Sequence, residues 1–136
     1  MSYAISAALQ AAVYQCLAAD TALDALVSGA IYDQLPSGTL PDAYVSLGPE
    51  LARDRSDQTG HGANHDFSIT VVTNGAGFQG AKEIAAAISD ALDNPALVLG
   101  RGRLVSLNFL WAKASRQGTG ALRRIDMRFR ARVEDE

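Results

Sequence analysis

His65-Asp66-Phe67-Ser68-Ile69-Thr70-Val71-Val72-Thr73-Asn74-Gly75-Ala76-Gly77-Phe78-Gln79-Gly80 leads into Ala81-Lys82-Glu83-Ile84-Ala85-Ala86-Ala87-Ile88-Ser89-Asp90-Ala91-Leu92-Asp93. Phe67, Ile69 and Val71 alternate with Ser68 and Thr70, which is the period of a strand, and the pattern predicts that this strand is half exposed. From Ala81 to Leu92 the period changes to that of a helix, with Ile84, Ile88 and Leu92 on one stripe. Between them, Gly75 to Gly80 spells GxGxxG. That motif cradles a pyrophosphate when it follows a first strand buried on both faces and an acid closes a second parallel strand. Here the strand alternates, Asp93 sits at the helix end beside Asn94-Pro95, and only one such unit is present. The turn therefore reads as a structural corner, and no cofactor is expected.

Outward from this unit, the N-terminal side carries Ile5, Leu9, Ala12, Val13, Cys16 and Leu17 at spacings of three and four, predicting a helix over Ala4–Ala18. Asp20 is placed to cap a second short helix through Leu23, Leu26 and Val27, which Gly29 ends. Ile31-Tyr32-Asp33 reads as a short edge strand, Pro36–Pro41 as a turn-rich loop, and Ala43–Leu47 as a half-buried strand. The polar run 49–64, with Arg53, Asp54, Arg55 and Asp57, reads as a long loop of the functional or disordered kind.

On the C-terminal side, Arg103–Arg116 is a long strand with apolar odd positions Val105, Leu107, Phe109 and Trp111. Residues 116–120 suit a hairpin loop. In Leu122–Val133 the alternation is unbroken: Ile125, Met127, Phe129, Ala131 and Val133 face one way, and Arg124, Asp126, Arg128, Arg130 and Arg132 the other. Glu134-Asp135-Glu136 reads as a frayed acidic tail. This order predicts a single α+β domain over 1–136: a mainly antiparallel sheet of about four strands, covered on one face by two amphipathic helices.

With 136 residues, 48% hydrophobic and 20% charged, and a net charge of -3, the chain reads as a globular domain without the basic surplus of a dedicated nucleic-acid binder. The single cysteine, Cys16, permits no internal disulfide and lies on the helix stripe as an inert hydrophobe, which fits the cytoplasm. Ser6, Gln10 and Gln15 interrupt the apolar N-terminal stretch, so neither a signal peptide nor a membrane span is read there. His61 and His65 read as surface histidines rather than metal ligands, because no second cluster completes a coordination shell. No GxSxG elbow marks a hydrolytic triad. No catalytic, cofactor-binding or metal residue is assigned, and a non-enzymatic protein is expected. The residues singled out are those of a subunit or partner interface: Arg53, Asp54, Arg55, Asp57, Arg116, Arg124, Arg128, Arg130 and Arg132, since guanidinium groups pair fork to fork with carboxylates.

Ala19-Asp20-x-x-Leu23, the Val27–Asp33 segment, the proline-bounded loop into Pro41-Asp42-Ala43-Tyr44-Val45-Ser46-Leu47-Gly48, the His65–Leu92 unit and the final Arg-rich strand together resemble the small tail-completion proteins of siphophages and bacterial gene transfer agents. The likeness covers nearly the whole chain, although the family's usual Pro-Tyr is spread out here as Pro41-Asp42-Ala43-Tyr44. The resemblance implies a virion structural protein, assembled in the bacterial cytoplasm. It implies a tail terminator, a homo-oligomeric ring, typically a hexamer, that caps the head-proximal end of the tail tube. Its expected partners are the tail tube protein and the head-tail connector or stopper, with DNA passing through the lumen unread and no membrane involved. Two alternatives stand beside it: another connector or tail-tube subunit, and a small nucleotide-binding protein using Gly75 to Gly80.

Overall fold

The computed structural model describes residues 2–56, 61–75, 77–93, 95–116 and 122–135. A 3-10 turn, Ser2–Ile5, runs into α1 (Ser6–Ala19) and α2 (Thr21–Val27); β1 (Ile31–Tyr32), β2 (Ala43–Asp54) and β3 (His61–Asn74) follow, then α3 (Gln79–Ala91), β4 (Arg103–Arg116) and β5 (Leu122–Asp135). The sheet order is β1-β2-β3-β5-β4, with β1 parallel to β2 and every other neighbour antiparallel. The α+β expectation holds, but among the described residues the sheet is mixed and five-stranded, and three α-helices are present where two amphipathic ones were expected to cover it.

Local chemistry explains the N-terminal elements. Asp20 Oδ2 accepts the Leu23 amide at 2.9 Å, satisfying one of the orphan donors of α2. The chain leaves α2 through two left-handed residues, Ser28 at φ 53° and Gly29 at φ 78°. Ile5, Leu9, Ala12, Val13 and Leu17 are buried, while Cys16 is half-buried with its Sγ 3.6 Å from the Ala91 carbonyl oxygen. Burial pushes the Cys16 thiol up from its ordinary pKa and nearby Asp20 adds to this, which lowers its thiolate fraction.

The core lies between the helices and one sheet face. Ile84, Ile88 and Leu92 from the α3 segment meet the inward row of β5, in which Ile125, Met127, Phe129, Ala131 and Val133 are all buried, as the alternation predicts. Phe129 is the hub: Phe67 stacks on it at 5.7 Å and Phe109 meets it edge-on at 5.7 Å.

Four expectations are corrected. The run 49–64 is mostly ladder, not loop: β2 continues to Asp54, β3 begins at His61, and Glu50 through Asp54 pair with Phe67 through Ala63. Pro49 and Gly48 mimic a loop because they sit in a bulge between Leu47 and Glu50, where a strand tolerates proline. Residues 57–60 and 117–121, the latter holding most of the expected hairpin loop 116–120, lie outside the described residues. β3 is not half exposed: Phe67, Ile69, Thr70, Val71 and Val72 are buried, because it is central and long side chains from β5 fold over its outer face. The odd positions of β4 do not share a face. Bulges between Leu104 and Ser106 and between Phe109 and Trp111 shift the parity, so Phe109 opposes Phe129 on the core face whereas Trp111 opposes Arg128 on the outer face. Glu134 and Asp135 are not frayed but belong to β5, where they meet Arg103 and Arg101, the latter at 2.8 Å.

Candidate functional site

The outer sheet face is built by the even positions of β5 and their neighbours. Across β3, Asn64, Asp66, Ser68, Thr70 and Val72 stand opposite Arg132, Arg130, Arg128, Asp126 and Arg124. Among the described residues, three of the four arginines bond within the fold. Arg130 donates through Nε to Asp66 Oδ1 at 2.7 Å and through Nη2 to Oδ2 at 2.9 Å. Arg128 Nη1 donates to Ser68 Oγ at 2.8 Å. Arg124 Nε lies 3.0 Å from both oxygens of Asp126, which also accepts from Thr70 Oγ1 at 2.9 Å.

These pairings set the charge states. The Asp66 carboxyl is held below the usual value chiefly by its hydrogen bonds from Arg130, against an opposing burial effect, with Arg128 and Arg53 adding attraction. Asp126 is also lowered: burial is the largest influence and raises it, but the bonds from Arg124 and Thr70 together with the attraction of Arg124 and Lys113 outweigh it. The outer face is thus a lattice of guanidinium and carboxylate groups rather than an open cradle for phosphate.

Of the residues singled out from sequence, Arg53 joins this face, since it pairs with Asn64 and so shares a row with Arg132. Asp54 has the opposite parity and accepts from Ser56 Oγ at 2.7 Å. Arg55 is exposed and continues the arm, its amide donating to the Gly62 carbonyl at 2.7 Å. Asp57 lies outside the described residues. Arg116 is not brought into the row: it pairs with Arg123, an odd position of β5 and so of opposite parity to Arg124, Arg128, Arg130 and Arg132.

Other residues were missed by the sequence reading. Asp66 and Asp126, which anchor the arginines, were legible only as polar positions in alternating strands. Arg123 packs its guanidinium over the Phe78 ring at 5.3 Å, tying β5 to the start of α3. His65, expected on the surface, is fully buried: Tyr3 stacks on it at 6.0 Å and its Nδ1 bonds Glu50 Oε2 at 3.0 Å. Its four-residue spacing from the exposed His61 does place both on one face of β3, but about 13 Å apart by strand rise. Ser6 Oγ donates to Glu50 as well, at 2.8 and 2.9 Å, so serine and histidine converge on one carboxylate instead of forming a nucleophile-to-base relay. Among the described residues, no group of three His, Cys, Asp or Glu side chains could hold a metal ion.

The glycine turn has the geometry of a corner. Gly77 has φ 75°, and a Cβ at Gly75, Gly77 or Gly80 would meet nothing within 4 Å. β3 is flanked on both sides by antiparallel strands, so the turn does not open at a switch point between parallel strands. Among the described residues, no helix is long and apolar enough to cross a membrane.

Residues 11–134 match the family model for tail completion protein gp17. No curated protein matches the chain significantly. Among solved structures, a chain of the "Virion of native gene transfer agent (GTA) particle" is 61% identical, with a TM-score of 0.92 over 97% of this chain and 98% of that one.

Proposed function

The chain belongs to the tail completion protein gp17 family, and from that premise we propose that it is the tail terminator of a phage or gene transfer agent particle. In this reading it is a structural component of the virion tail, and residues 1–136 act as one domain. Copies close into a ring, typically a hexamer, on the head-proximal end of the tail tube. The ring stops tube growth, offers its other side to the head connector or stopper, and lets DNA pass without reading it. The observation that carries the reading is the length of the match: the chain corresponds nearly end to end with a component of a gene transfer agent virion.

The arginine face supports assembly better than catalysis, because its carboxylates already neutralise part of the charge and fix the guanidinium groups. Arg53, Asp54, Arg55, Asp57, Arg116, Arg124, Arg128, Arg130 and Arg132 are the proposed contacts to neighbouring subunits or tail partners. The role involves no enzymatic step and no cofactor.

Light scattering of the purified protein, with electron microscopy of particles made with and without it, tests the reading. Loss of the chain should give tails of uncontrolled length that fail to join heads. Stacked filaments of the pure protein would instead favour a tube subunit. Stoichiometric NAD or ATP binding by calorimetry, abolished by Gly77→Val, would move the function to the glycine turn.

A further inference from the structure

The two edges of the sheet are unlike, and their differences match. At one edge β4 has, among the described residues, a neighbour on only one side and exposes Val105 (43%), Phe109 (51%), Leu110 (36%) and Trp111 (50%). An exposed, apolar edge of this length is a template for association that soluble proteins ordinarily blunt. At the opposite edge, β1 pairs only with Val45 and Ser46, so from Leu47 onward the same side of β2 has no strand partner among the described residues. Beside that edge, α1 and β2 border an open groove of about 640 Å3, lined by Tyr3, Ala7, Ala11, Tyr14 and Leu47 and rimmed by Asp33.

Charge separates along the same axis. Residues 1–52 hold five acids and no lysine, arginine or histidine, whereas residues 101–135 hold nine bases against three acids, of which Glu134 and Asp135 pair with Arg103 and Arg101. β4 itself carries Arg103, Lys113 and Arg116 and no acid. The groove side exposes Asp33 and Asp42, and no charged residue precedes Asp20, so an apolar occupant of the groove desolvates no ion on α1. An apolar, basic edge thus stands at one end of the sheet, and an apolar, acidic groove at the other.

We propose that the β4 edge of one copy docks along the α1–β2 groove of the next copy, a head-to-tail contact between different surfaces. Because the two surfaces lie at opposite ends of one sheet, each copy can use both at once, as a ring requires; a two-fold contact would consume only one of them. Phe109 from the core face of the edge and Trp111 from its outer face, with Leu110 at the bulge between them, supply the buried anchor, while Lys113 and Arg116 meet Asp33 and Asp42 at the rim. This inference rests on the terminator reading and names the partner as a second copy of this chain.

Cysteine cross-linking tests it. In a Cys16→Ala background, chains carrying both Tyr14→Cys and Trp111→Cys are oxidised, as purified protein and in assembled particles. The expected result is a ladder of covalent multimers beyond the dimer, and none from either substitution alone. Lys113→Glu with Arg116→Glu should lower the cross-linking yield roughly tenfold at low salt, and adding Asp33→Lys with Asp42→Lys should recover it. A dimer from Trp111→Cys alone would mean symmetric edge pairing and overturn the proposal. So would a ring of this chain in particles without the ladder, which would assign the β4 edge to another tail protein while leaving the terminator reading in place. Particles with no ring of this chain would remove both.

Discussion

Arg130 and Asp66 hold each other in a two-bond fork across β5 and β3, Nε to Oδ1 at 2.7 Å and Nη2 to Oδ2 at 2.9 Å. The carboxylate is the better buried partner, with side-chain exposures of 12% for Asp66 and 44% for Arg130. Because its folded pKa is depressed, Asp66 binds its proton less readily folded than unfolded. The stability it contributes is fully present above the ordinary aspartate value of about 3.9 and is lost as the pH falls through the lower folded value. Asp66→Asn should therefore cost about 1 kcal/mol at neutral pH, discounted for the exposed arginine, and flatten the acid limb of the stability curve. Urea titrations from pH 7 to pH 2 read both effects, and superimposable acid limbs would show that the fork contributes nothing.

The glycines separate by what each position demands. Gly102 has φ 72°, and a Cβ there would lie 2.5 Å from the Glu134 carbonyl oxygen and 2.8 Å from Ile5 Cδ1. Gly102→Ala should cost about 2–3 kcal/mol, since neither the backbone nor the fully buried Ile5 has room to yield. Gly80 lies in the first turn of α3 with open space around it, so Gly80→Ala should raise the melting temperature, alanine being favoured in a helix by about 1 kcal/mol. A loss of stability at Gly80 as large as at Gly102 would mean that the turn serves more than chain reversal.

The trio of fully buried His65 with half-buried Glu50 and Ser6 joins the bulged strand β2 to β3 and to the start of α1. Glu50 is the common partner, and its removal takes this carboxylate from both Ser6 Oγ and His65 Nδ1 in a site that Tyr3 covers. Glu50→Ala should cost about 2 kcal/mol, and a double-mutant cycle with Ser6→Ala should return a coupling of about 1 kcal/mol. Thermal melts of the four proteins measure it, and strictly additive losses would mean that Ser6 and Glu50 act independently.

Regular alternation was the legible part of this sequence. β5 obeys it from Ile125 to Val133, and the Asp20 cap and the α3 stripe follow from equally local rules. What escaped depends on neighbours. Pro49 reads as a loop until the bulge opposite β3 accommodates it, and Trp111 reads as a companion of Phe109 until a bulge turns it to the other face. His65 reads as polar surface because Glu50 and Tyr3, which bury and satisfy it, are remote in sequence. The arginine row was visible as a face, but not that Asp66 and Ser68, on a different strand, occupy two of its guanidinium groups.

The helix that follows the glycine corner holds the sheet through Ile84, Ile88 and Leu92, and Ile88 is fully buried among them. An aspartate there would be a charge with no water, and the core face around it is aliphatic and aromatic, so Ile88→Asp should leave the chain unfolded or insoluble. Ile88→Ala removes only volume and should cost about 3 kcal/mol, enough to lower the melting temperature while keeping a single cooperative transition. Lys82→Ala and Glu83→Ala, on the exposed side of the same helix, should change stability by less than about 0.5 kcal/mol. Circular-dichroism melts of the four variants rank them, and a cooperative melt of Ile88→Asp at the wild-type temperature would place the stripe of α3 outside the core on which the sheet depends.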